Sequence, residues 1–155
     1  MNTINKLISG GQTGGDRAAL DFAIANGIPH GGWCPKGRKA EDGPIDAKYL
    51  LQETPTADYL ERTEWNIRDS HGTLILTIGA KLTGGSKRTA EIARKLGKPC
   101  LHISKEGTAL PVSKLTDFLA MHTIDVLNVA GPRASKEPAV GEFVTQVLTR
   151  LFRKS

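Results

Sequence analysis

The residues best equipped for chemistry are Gly10, Gly11, Gln12, Thr13 and Gly14, which close a short apolar run directly before helix-forming residues that begin near Asp16. Glycine admits positive φ and lets a backbone approach a ligand closely. The first N–H groups of the following helix have no internal partners and lie beside a partial positive charge. Strand, glycine loop and helix start together form a cradle suited to phosphate. The spacing is neither GxGxxG nor a P-loop, which ends in GK[ST]. Gln12 and Thr13 add side-chain donors that a plain β–α turn, the competing reading, does not need.

A second stretch repeats the logic: Thr83-Gly84-Gly85-Ser86-Lys87-Arg88-Thr89 follows an apolar strand and opens a helix. Two cradles on one edge could hold two ends of a diphosphate, or a phosphate and a second polar group. On the plain reading Ser86 only caps its helix, a bond worth about 1 kcal/mol. In Cys34-Pro35-Lys36-Gly37-Arg38-Lys39 a thiol stands beside three cations. The cations favour thiolate, so Cys34 is either reactive or a thiol packed beside Trp33. Lys36 and Arg38 are the better candidates for ligand oxygens, Arg38 through a two-pronged hydrogen bond. Glu41-Asp42-Gly43 is a turn or a partner for these cations. Asn66 and Asp69 share a helix face and are read as a brace for the site or as a plain polar helix end. The four histidines, His30, His71, His102 and His122, show no metal-ligand spacing.

Elements that position these groups follow from periodicity. Strands are expected at 6–9, 28–33, 73–78, 100–103 and 124–129. Helices are expected from Asp16 to Asn26-Gly27 and at 58–70, 88–96 and 112–121, with a last one on Val140, Phe143, Val144, Val147, Leu148 and Leu151. Residues 34–56 show no period, and a structureless stretch of that length is usually functional. Alternating strands and helices predict a mostly parallel sheet of about five or more strands between two helical layers. Ligands in such folds bind at the carboxyl ends of the strands, where the unusual loops fall. Arg133, in the loop after the last strand, is expected to converge there with Lys36 and Arg38.

At 155 residues the chain is read as one domain, 1–155. The 39% hydrophobic and 24% charged residues fit a globular protein. No apolar run has the length of a membrane span, and Met1-Asn2-Thr3 does not open a signal peptide, which leaves the cytoplasm as the expected compartment. A net charge of +5 raises nucleic acid as a partner, but the cations are spread and no basic run is interleaved with aromatics. Arg150, Arg153 and Lys154 suit the end of the last helix instead. An anionic small molecule explains the excess better. Cys34 and Cys100 are far apart and form no CxxC pair.

Taken together, the first glycine loop, Gly32-Trp33-Cys34-Pro35-Lys36-Gly37-Arg38, Glu41-Asp42-Gly43, Asn66 with Arg68-Asp69-Ser70, Thr83-Gly84-Gly85, and Leu127-Asn128-Val129-Ala130-Gly131-Pro132-Arg133 resemble one family. It is the circularly permuted YpsA-type branch of the SLOG superfamily, labelled as molybdenum cofactor carriers. The resemblance implies a Rossmann-like three-layer α/β/α sandwich and, as ligand, molybdenum cofactor (molybdopterin) or a nucleotide. It places the ligand on Gly10, Gly11, Gln12, Thr13 and Gly14 and on Gly84, Gly85, Ser86 and Thr89. It also implies a homo-oligomer and docking to molybdoenzymes or cofactor-biosynthesis proteins. Two departures are His71, where the family more often has Asp, and Ser86-Lys87-Arg88, where it usually has Thr-Ala-Leu. A related branch, the LOG-type phosphoribohydrolases, carries PGGxGTxxE with a catalytic glutamate. Glu91 matches that glutamate in offset, but the third glycine and following threonine are missing. The alternatives to a carrier are therefore such a hydrolase or a non-catalytic sensor of a nucleotide derivative.

Overall fold

A computed structural model of the chain describes residues 4–153. The readings made on Met1-Asn2-Thr3 and Lys154 lie outside the described residues. The order is β1 (Lys6–Ile8), α1 (Gly15–Ala25), β2 (His30–Gly31), β3 (Trp33–Cys34), β4 (Gln52–Glu53), α2 (Tyr59–Arg68), β5 (Gly72–Thr77), α3 (Gly84–Lys95), β6 (Cys100–Ser104), α4 (Pro111–His122), β7 (Val126–Ala130) and α5 (Val140–Arg153). Five strands form one sheet in the order β2-β1-β7-β5-β6. Every neighbouring pair is parallel, with Ile8 opposite Asn128 and Thr73 opposite Asn128 on its other side. The expected α/β Rossmann-like architecture is the one observed.

Successive strand residues face opposite sides of a sheet. Leu74, Leu76, Leu127 and Val129 enter the main apolar core with residues of α1, α4 and α5. In α5 all six periodic positions, Val140, Phe143, Val144, Val147, Leu148 and Leu151, are buried, each worth about 1.5–3 kcal/mol relative to exposure. The alternate residues Thr73, Thr77 and Asn128 are buried too, but polar. They share that side of the sheet with Ile8 and Ile75, so one face is wholly apolar and the other, under α2 and α3, mixes apolar and polar groups beside the site.

Several boundaries differ from the sequence expectation. The strand expected at 28–33 is split: β2 pairs with β1, whereas β3 leaves the sheet and pairs with β4. Gly32 lies between them against Ser9, whose carbonyl oxygen would sit 2.3 Å from any Cβ there. The stretch expected to be structureless, 34–56, closes on itself through the β3–β4 ladder. It has its own small core of Cys34, Ala40, Ile45 and Tyr49 against Leu20 of α1. In α2 the buried residues are Arg62, Asn66 and Ile67, while Leu60 and Glu64 are exposed. The buried stripe thus mixes Ile67 with two polar side chains, Arg62 and Asn66, that bond to other parts of the chain. Finally, α3 starts at Gly84 rather than at 88, so the second glycine pair forms its first turn.

Candidate functional site

A cleft of about 290 Å³ opens at the carboxyl end of β7. One wall is the first glycine loop and the start of α1, with Gly10, Gln12 and Asp16. The start of α3 supplies Gly84, Gly85, Ser86 and Thr89, and α2 supplies Tyr59, Leu60, Arg62, Thr63 and Asn66. Asn128 to Gly131 form the floor, and Arg133 and Lys136 come from the following loop. This is where a parallel sheet presents its loops and helix N-termini.

The start of α3 is chemically open. Thr83, its N-cap residue, makes no side-chain cap, and no acidic residue stands in the first turn. Among the described residues no backbone acceptor takes the N–H of Gly84, Gly85 or Ser86; the first bond of the helix is Lys87 N to Thr83 O. Ser86 is only 7% exposed, and its hydroxyl has no partner among the described residues. Thr89 lies one turn on and donates to the Gly85 carbonyl at 2.9 Å. The Lys136 ammonium lies 2.7 Å from where a Cβ on Gly84 would be, so a cation stands at the helix start. Unpaired N–H groups, a hydroxyl and a lysine at one point favour an anion.

The opposite wall is held by a buried ion pair. Arg62 donates Nη1 to Asp16 at 3.3 Å and to the Gly10 carbonyl at 3.1 Å, and Nε to the Tyr59 carbonyl at 3.3 Å. Its Nη2 has no partner among the described residues. Burial pushes the Asp16 carboxyl up from its ordinary value, opposed by Arg62 and by the Gly131 and Gln12 amides. Gly10 is needed for this packing, because a Cβ there would lie 2.1 Å from Arg62 Nη1. Gln12 is buried at 6% exposure. Its Oε1 accepts from Thr13 N at 3.0 Å and Glu41 N at 2.8 Å, which leaves its Nε2 to the cleft.

Seven of the sequence-predicted residues are thus brought together: Gly10, Gln12, Gly84, Gly85, Ser86, Thr89 and Arg133. The other five do not line the cleft. A side chain on Gly11 would run into Leu51 and Ile45 under the 34–56 excursion. Thr13 bonds to Glu41 and accepts from Ala134 N at 3.0 Å. Gly14 lies at φ 81°, and a Cβ on it would stand 2.3 Å from the Pro132 carbonyl oxygen. Thr13 and Gly14 therefore dock the loop that carries Arg133. Lys36 is exposed and outside the cleft. Arg38 lies outside the cleft lining, and its guanidinium donates to four carbonyls of its own excursion, those of Ile45, Asp46, Tyr49 and Leu51. Of Arg38, Lys36 and Arg133, Arg133 alone lines the cleft.

Other assignments resolve in the same way. Cys34 is fully buried, and burial pushes its thiol up, away from the reactive thiolate. Glu91 stands on the exposed side of α3, 3.8 Å from Arg88, and does not reach the cleft. Asn66 and Asp69 are braces. Asn66 bonds both the N–H and the carbonyl of Trp33, at 2.8 and 2.9 Å, and Asp69 accepts from the Trp33 indole at 2.8 Å. Glu41 ties two loops together, accepting from Thr13 and from Ser135 Oγ at 2.5 Å. Sequence reading missed Asp16, Tyr59, Arg62, Asn128 and Lys136 as cleft residues. The available signal was Arg62 and Asn66, four apart on one helix face.

Parallel order, helices on both faces and a cleft at the strand ends make this a Rossmann-like α/β domain. The chain belongs to the circularly permutated YpsA SLOG family, whose model matches residues 7–152. It is similar to a protein of Syntrophus aciditrophicus SB whose crystal structure carries the provisional name molybdenum carrier protein. The two are 50% identical over 97% of this chain and 96% of that one, with a TM-score of 0.92. No curated protein matches the chain.

Proposed function

We propose that the protein binds an anionic, phosphate-bearing small molecule in this cleft and acts as a carrier, with molybdenum cofactor (molybdopterin) as the cargo that the related protein's name suggests. The observation that carries the reading is the uncapped start of α3, with Lys136 beside it and Arg62 and Arg133 lining the same cleft. Phosphate bound at Gly85 and Ser86 would complete the helix's open N–H groups and neutralise Lys136. The volume, about 290 Å³, is at the small end of ligand sites. It suits a phosphate with part of a ring system, the remainder of a pterin or nucleotide extending from the mouth. Gln12 Nε2 and Ser86 Oγ would add donors to the ligand's polar edge.

The phosphoribohydrolase alternative loses its base, because Glu91 is outside the cleft. A sensor of a nucleotide derivative would use the same cleft without turnover, but would pass on a signal where a carrier passes on the ligand. The reading takes the chain as one binding domain, a homo-oligomer in the cytoplasm, that hands its cargo to molybdoenzymes or cofactor-biosynthesis proteins. Among the described residues no helix is long and apolar enough to cross a membrane. Native mass spectrometry of protein taken from its producing cells tests the cargo. A retained phosphate-bearing pterin, absent when Ser86 and Lys136 are both replaced by alanine, supports the carrier reading. A retained nucleotide in its place favours the sensor.

A further inference from the structure

Tyr59 opens α2 at the edge of the cleft, and cations from three separate parts of the chain gather on its ring. Lys39 Nζ lies 4.5 Å from the ring centroid, the Arg62 guanidinium carbon 5.3 Å and that of Arg133 6.0 Å. Cations are attracted to an aromatic face within about 6 Å, but three of them on one ring repel each other. Among the described residues Asp16 is the only carboxylate lining the cleft, and it is already engaged by Arg62. Among the described residues Lys39 and Arg133 make no ion pair within 4 Å, and Glu41, already held by Ser135 and Thr13, is the one carboxylate whose charge Arg133 feels. Arg62 is 8% exposed and keeps Nη2 unpartnered beside this group. The positive charge gathered by Tyr59 is therefore larger than the protein's own anions there. It is also distinct from the charge at the start of α3, which rests on Lys136 and the helix N–H groups.

We infer that the cleft has two anion seats, and that it prefers a diphosphate-bearing form of its ligand, pterin or nucleotide, to one with a single phosphate. This rests on the cleft being the ligand site proposed above. One phosphoryl group sits at Gly85, Ser86 and Lys136. The second sits among Lys39, Arg62 and Arg133, with Tyr59 holding the three cations in place. Lys39 is then a specificity-determining residue that reaches the ligand from the 34–56 excursion, while its neighbours Lys36 and Arg38 do not. Tyr59 is a positioning residue that acts through the cations.

Calorimetric titration of the full chain with inorganic phosphate and with pyrophosphate, at one fixed ionic strength, tests this. Wild type should prefer pyrophosphate by about tenfold or more, a difference of about 1.4 kcal/mol. Lys39→Ala, at an exposed position, and Tyr59→Leu should each cut that preference to about threefold or less. In both variants pyrophosphate should lose more affinity than phosphate does, because phosphate keeps the seat at the start of α3. Lys136→Ala should weaken both anions. If phosphate binds and the preference for pyrophosphate is unchanged in Lys39→Ala and Tyr59→Leu, the second seat is overturned and the cleft reading stands. If neither anion binds wild type, the cleft reading falls and the second seat with it.

Discussion

Arg38 separates a structural cation from a ligand-binding one. Its guanidinium donates to the carbonyls of Ile45 at 2.9 Å, Asp46 and Tyr49 at 2.8 Å each, and Leu51 at 3.3 Å. Its own carbonyl accepts from Ile45 N at 2.7 Å. Arg38→Ala would leave these carbonyls to compete for water while the segment still had to curve around the vacated space. Hydrogen bonds to a charged donor contribute about 1.5–3 kcal/mol each. Exposure at Asp46 and partial replacement by water reduce the sum, so the loss should be about 3 kcal/mol. At this chain length that is a fall of about 6–12 °C in Tm if the domain melts as one unit. If the excursion opens first, the loss appears as faster amide exchange at Ile45 and Thr54. Arg38→Lys should recover little, because an ammonium cannot span several carbonyls in one plane. The stabilisation by added pyrophosphate should match that of wild type once measured from the variant's own baseline. A variant with unchanged Tm and exchange but no response to pyrophosphate would refute this account and return Arg38 to the ligand.

Glu41 gives a pH prediction. Hydrogen bonds from Ser135 and then Thr13 hold its carboxyl below the ordinary 4.5. The stabilisation is thus present above the unfolded value and is lost as pH falls through the folded one. Glu41→Gln should flatten that part of the acid arm of a stability curve, and an unchanged curve would remove the Glu41 tie between the two loops. Gly14→Ala combines a φ of 81° with a 2.3 Å approach to the Pro132 carbonyl. It should cost at least about 2 kcal/mol and loosen the Arg133 loop, as read by thermal melts. Gly85→Ala meets no atom within 4 Å and should melt within about 1 kcal/mol of wild type; a large loss there would mean that the start of α3 is packed rather than open.

The layered architecture was legible because its signals are local. The buried run of β5 and the six apolar positions of α5 declare a parallel sheet with helices on its faces, without reference to the rest of the chain. The half of the fold that carries the cleft was less legible, because it is held by polar groups whose partners lie far away in sequence. Arg62 meets Gly10 and Asp16 across about fifty positions, and Asn66 holds the Trp33 backbone. Periodicity therefore places α2 in the chain but does not show that it buries Arg62 and Asn66. The glycine loops were found by composition, but composition does not tell a glycine that faces a ligand from one that admits a neighbouring loop, as Gly14 does. The basic run at 36–39 stands out in the sequence for its three cations beside a thiol. Which of its cations meets the Tyr59 ring depends on the closure of the excursion, to which Arg38 contributes four hydrogen bonds.

The most direct test of the central claim is an amide NMR titration of the chain with pyrophosphate at constant ionic strength. The account predicts saturable shifts concentrated at Gly85 and Ser86, with smaller ones at Gly10, Gln12 and Gly131, and their loss in a Ser86→Ala, Lys136→Ala double variant. Shifts confined to residues remote from the cleft, or none as pyrophosphate is raised to saturating concentration, would contradict it.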